Sequence, residues 1–167
     1  MYDELTKSDI KRMQEEIEYR KLVVRKEALE AVKEARAHGD LSENFEYYAA
    51  KKDKNSNESR IRYLEKMIKT AKIISDDSKE DEVGINNTIK VYFEEDDLIE
   101  TYKLITTVRG NSLAGLISIE SPLGKAVLGR KVNDRVFVKV SEDYGYYIVI
   151  KEINKTVDDG SDKLRSF

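Results

Sequence analysis

A chain of 167 residues with 38% charged and 40% apolar side chains can form a modest core beneath a large solvated surface, as one domain or two small ones. Its net charge of −3 comes from acidic and basic residues mixed along the whole length, which excludes a polybasic module that grips nucleic acid by charge alone. Without cysteine there is no disulfide framework, zinc cluster or thiol nucleophile; without a signal-peptide pattern or roughly 18 consecutive apolar residues, the chain reads as soluble and cytoplasmic.

From Ile10 to Ala35, apolar or small residues recur at Met13, Ile17, Val24, Ala28 and Ala31, predicting one long helix, with Thr6 to Asp9 as a capping box and Gly39 just past its end. A second helical stripe runs from about Glu43 to Ile74 through Ile61, Leu64, Ile68 and Ala71, although residues 51–60 contain no apolar side chain. Two helices of about 30 residues, each about 45 Å long, joined by a short turn near Gly39 make an antiparallel hairpin with an exposed tip.

Beyond "SDDSKEDEVGINN" the period changes to two. "TIKVYF", "TYKLITTV", "LISI", "RVFVKV" and "YYIVIKEI" read as five strands, and Ser121 and Pro122 open a short helix that ends at Gly129. The expected fold class is α+β: a coiled-coil hairpin over 1–77, a small sheet domain over 78–155, and a disordered polar tail over 156–167.

The stretch "HGDLSENFEYYAA" at 38–50 is not explained by periodicity. Two readings stand for Asp40 and Glu43: N-cap and capping-box partner of the second helix, or two carboxylates at an exposed tip that share a hard divalent cation such as magnesium. Spacing does not choose between them. His38 reads first as a turn residue, with a base or ligand as the alternative. Phe45, Tyr47 and Tyr48 offer rings that stack on bases or enter a partner's channel, or, for Phe45 and Tyr47, pack across the hairpin. Residues 51–72 carry eight basic side chains against three acidic ones, mostly a solvated face, but hairpin geometry brings Arg36 and Lys51 together behind the acidic turn, where they could hold a phosphate backbone.

"EARAHGDLSENFEYYAAK" at 34–51 and "ISIESPLGKAVLGRKVND" at 117–134 resemble the GreA/GreB family of bacterial transcript cleavage factors, nearer to its GreA branch. The resemblance implies a coiled coil that enters the secondary channel of RNA polymerase and an FKBP-like domain that docks at the channel rim on the largest subunit. It further implies that Asp40 and Glu43 help hold a magnesium ion shared with the polymerase active site, so that backtracked RNA is cleaved near its 3′ end. The protein would have no cofactor or catalytic activity of its own, and is expected to be monomeric. By the same resemblance Arg36 and Lys51 face the RNA 3′ segment, and Glu120, Ser121 and Pro122 face the polymerase, helix entry being the alternative for these three. The chain departs from the family at Phe45, at Tyr48 and in the shortened segment around Arg109. Those departures motivate a second expectation, a channel-binding regulator that does not activate cleavage or inhibits it. Prolyl isomerisation is a third, disfavoured by the lack of tryptophan and of an apolar pocket motif.

Overall fold

A computed structural model describes residues 3–39, 44–109, 115–160 and 162–165. The chain divides into two compact units, one built on Ser8–Lys72 and the other on Glu4–Lys7 with Ile73–Ser166. A two-residue strand, β1 (Glu4–Leu5), precedes the helices, and its partner β2 (Lys72–Ile73) follows them.

The predicted first helix exists but is not uniform. It runs as α1 (Lys7–Tyr19), a π-helical segment (Arg20–Val24) and α2 (Arg25–Ala37). At the end of the π segment the Arg25 N–H donates to the Arg20 carbonyl, five residues back, so one extra residue enters the turn and resets the helix phase. The inserted turn coincides with a polar layer in the seam against α3 (Phe45–Thr70). Arg20 Nη1 donates to Asn57 Oδ1 at 2.9 Å, while Asn57 Nδ2 donates back to the Arg20 carbonyl at 3.3 Å. Glu16 accepts from Arg20 Nε at 2.7 Å and from Arg60 Nε at 2.8 Å, and Arg25 forks onto Glu58 at 2.9 and 3.0 Å.

Burial by itself would raise the Glu16 pKa, but hydrogen bonds from Arg60 and Arg20 outweigh it and hold the carboxyl below its ordinary value. Residues 51–60, without an apolar side chain, are therefore helical for a reason that periodicity does not capture: Asn57 and Arg60 are buried and bonded across the hairpin. Met13, Ile61 and Leu64 supply the apolar part of that unit.

The second unit is a five-stranded sheet in the order β5-β4-β3-β7-β6, formed by β3 (Thr88–Phe93), β4 (Leu98–Ile105), β5 (Leu116–Ser118), β6 (Arg135–Lys139) and β7 (Gly145–Asn154). All pairings are antiparallel except β4 with β5. All five expected strands are present. β4 starts three residues before its expected Thr101, because the hairpin register sets Leu98 opposite Phe93 whatever the hydropathy there. Helix α4 (Pro122–Val127) lays Leu123 and Val127 on a core of Ile89, Val91, Leu104, Val136, Val138, Ile148 and Ile150. As expected, Ser121 caps α4, its Oγ accepting from the Gly124 N–H at 3.0 Å.

The tail departs from the disorder expected of 156–167. Arg109 is 1% exposed, with its Nη1 3.7 Å from Asp158 and 3.5 Å from Asp162, donating as well to Asn86 Oδ1 at 2.7 Å. Arg109 also bridges to Leu164, and the Arg165 N–H donates to the Val108 carbonyl at 2.7 Å. Just before the tail, Lys155 Nζ has four oxygens around it at 2.7 to 2.9 Å, from Ser78, Lys79, Glu82 and Asn87. A polar segment reads as solvated by composition, yet its carboxylates are what a buried guanidinium requires.

Candidate functional site at the helical tip

The frame of the tip is the last turn of α2 and the first turn of α3. Asn44 is the N-cap of α3: its Oδ1 accepts from the Tyr47 N–H at 3.0 Å. Its Nδ2 donates to the Ala35 carbonyl of α2 at 2.6 Å, so one side chain satisfies both helix ends and closes the base of the loop. The His38 N–H donates to the same Ala35 carbonyl at 3.2 Å, and Gly39 follows at φ +133°, a region glycine enters without steric penalty.

Two further pairs brace the frame. His38 Nδ1 lies 3.1 Å from Glu46 Oε2. Arg36 sits over the Tyr47 ring at 5.5 Å, with Nη2 donating to the phenol oxygen at 3.5 Å. The Arg36 hydrogen bond, with the charges of Arg36, Lys51 and Lys54, draws the Tyr47 pKa below its ordinary value. Arg36 thus lies against Tyr47, while Lys51 lines an open groove on α3 with Tyr48, Lys52 and Asn55.

Asp40 and Glu43 lie outside the described residues. Asn44 occupies the N-cap position of α3 that the capping reading gave to Asp40. Asn44 is one of the strongest N-cap residue types, but the spacing from Asp40 sets the cap four residues too early and the helix start two residues too early. Of the ring residues, Phe45 is 85% exposed and Tyr48 is 51% exposed, so neither packs in the hairpin, while Tyr47 is half-buried against Arg36. His38 is a turn residue held by Glu46.

In the sheet unit, Glu120 and Pro122 are exposed and Ser121 is partly buried, its Oγ donating to the Ser118 carbonyl at 2.7 Å as well as capping α4. Gly124 lies against the same Ser118 carbonyl, where a Cβ would collide, so the Ser-Pro-Leu-Gly turn presents Glu120 and Pro122 on a rigid corner. Among the described residues no group of three or more His, Asp or Glu could hold a metal, and no helix is long and apolar enough to cross a membrane.

A helical hairpin whose second helix is capped by Asn44, followed by a mixed sheet, defines the class. The family model for the N-terminal part of transcription elongation factors, GreA_GreB_N, matches residues 4–73, and that for the C-terminal part of GreA/GreB matches 77–155. The chain is 46% identical over 137 residues to transcription elongation factor GreA of Thermoanaerobacter pseudethanolicus, covering 81% of this chain and 87% of that one. It is 39% identical over 135 residues to GreA of Bacillus subtilis, covering 81% and 86%. Among solved structures, GreA factor homolog 1 of Thermus thermophilus aligns over 92% of this chain and 99% of its own at 24% identity and a TM-score of 0.43. The chain belongs to the GreA/GreB family of transcription elongation factors, on its GreA side.

Proposed function

We propose that this protein binds RNA polymerase, inserts its helical tip into the secondary channel and stimulates the polymerase's own cleavage of backtracked RNA near the 3′ end. Asn44 carries the reading: because it caps α3, the acidic pair beside it is not needed to close that helix. Asp40 and Glu43 offer only hard oxygen donors, the chemistry magnesium prefers, and two carboxylates are too few to hold it without the polymerase's own ligands. When bound between the two proteins, the ion stabilises the attacking and leaving oxygens of an in-line displacement.

Asp40 and Glu43 also orient the attacking water, Arg36 and Lys51 steady the RNA 3′ segment by its phosphates, and Glu120, Ser121 and Pro122 meet the channel rim on the largest subunit. The hydrolysis belongs to the polymerase, so the protein alone, a cytoplasmic monomer with no cofactor of its own, is inert. A stalled, backtracked complex with 3′-labelled RNA and magnesium provides the test. Addition of the protein shortens the RNA from its 3′ end, and Asp40→Asn or Glu43→Gln abolishes the shortening while binding persists. Binding without shortening, or with inhibition, overturns this reading in favour of a channel-blocking regulator.

A further inference from the structure

The far end of the sheet from Ser121 carries a second feature. β5 runs parallel to β4 with Ser118 beside Ile105, so the α4 corner lies at one end of β4, and the turn Glu94–Asp97 lies at the other, about 23 Å away. At that turn is a cavity of about 240 Å³ lined by Phe93, Glu95, Asp96, Tyr144, Tyr146 and Tyr147. It is smaller than pockets that take drug-sized ligands and suits a single side chain. Phe93 and Tyr146 form its floor, their centroids 5.8 Å apart and their rings packed on the sheet core, and Tyr144 stands 6.1 Å from Tyr146 and is 51% exposed.

The surrounding residues show what this chemistry holds. Arg135 lies 3.7 Å from the centroid of the Tyr147 ring and donates to both oxygens of Glu94, at 2.7 and 3.1 Å: a guanidinium on an aromatic face, neutralised by a neighbouring carboxylate. Lys151 lies 5.5 Å from the centroid of the Tyr92 ring on the same sheet. The cavity repeats the combination of tyrosine rings and carboxylates, but among the described residues neither Glu95 nor Asp96 has a cation at ion-pair distance. Glu95 accepts from the Tyr144 hydroxyl at 3.5 Å, and its charge is the main influence that pushes the Tyr144 pKa up, a field that favours an incoming cation.

We infer that this cavity is a docking site for an arginine side chain on a protein partner, held by Tyr144 and Tyr146 through its planar face and by Glu95 and Asp96 through its donors. Arginine fits better than lysine because it can stack and fork at once, as Arg135 does beside it. The site shares no residue with the tip or with Glu120 to Pro122, so its occupancy neither requires nor reports RNA cleavage.

The test is an amide NMR titration of the full chain with acetyl-Gly-Arg-Gly-amide, and with the citrulline peptide as a neutral isostere. The arginine peptide is expected to move the resonances of Phe93, Glu95, Tyr144 and Tyr146 saturably, at least fivefold more tightly than citrulline. The exposed double variant Glu95→Gln/Asp96→Asn should weaken it at least fivefold with an unchanged Tm. Shifts spread over the whole surface, equal binding of the citrulline peptide, or full binding by the double variant would overturn the site. Equal affinity for the lysine peptide would overturn the arginine assignment.

Discussion

In the seam of the hairpin the buried positions include Asn57 and Arg60, bonded to Arg20 and Glu16; in the interior of the sheet unit stand Ile89, Val91, Ile148 and Ile150, each fully buried. The two interiors supply different things. Apolar burial is large and non-directional; in the sheet its alternation fixes which face of a strand is buried, and with the turns that sets the register. Paired polar groups add little net stability, but they reject neighbouring registers, because a slip of one residue would leave a buried amide or guanidinium unpaired. A slender two-helix element that presents a loop at its end needs register more than bulk.

Arg109 breaks the pattern, since it is a buried charge in the apolar unit. Arg109→Met would leave Asp158 and Asp162 without their guanidinium and should cost about 3–5 kcal/mol in urea unfolding followed by tyrosine fluorescence. Truncation after Lys155 should cost a similar amount, by leaving the guanidinium without carboxylates. Ile150→Ala opens a cavity in the core and should cost about 2–5 kcal/mol in the same measurement, with amide exchange rising through β3 and β7.

The hairpin should respond to acid through Glu16. Glu16 titrates below its ordinary value of 4.5 when folded, so its contribution is complete above that pH and is lost as pH falls through the lower, folded value. Glu16→Gln should remove that acid-sensitive step from amide exchange in α1 and α3 while leaving the sheet's profile unchanged. Asn44→Ala is the smallest change, at about 1 kcal/mol, confined to faster exchange of the Tyr47 amide and its neighbours. If it instead loosened the whole of α3, the polar seam would not be what holds the hairpin.

Much of this was legible in the residues. Period-two runs marked the strands, Ser121 and Pro122 marked α4, and the stripe through Met13, Ile61 and Leu64 marked the hairpin, because each pattern reflects burial on one face of a local element. At the tip, Arg36 lies against Tyr47, a contact that its place in the sequence alone does not name. The cap was not legible: Asp40, Glu43 and Asn44 are all suitable residue types, and only the Ala35 carbonyl of the opposite helix singles out Asn44. The tail and β4 failed for a related reason. Asp158 and Asp162 read as solvated until Arg109 is seen behind them, and Leu98 becomes strand only because Phe93 lies opposite.

By itself the sequence determined which segments are helix and which are strand, the α+β class, and the acidic loop between two helices, since all of these follow from periodicity and side-chain type along the chain. Only the tertiary structure decided the π turn at Arg20–Val24, the partner of each buried charge and the aromatic cavity at Tyr144 and Tyr146. A buried polar group is defined by what faces it, and the carboxylates that face the buried Arg60 and Arg109, Glu16 and Asp162, lie 44 and 53 residues away in the chain.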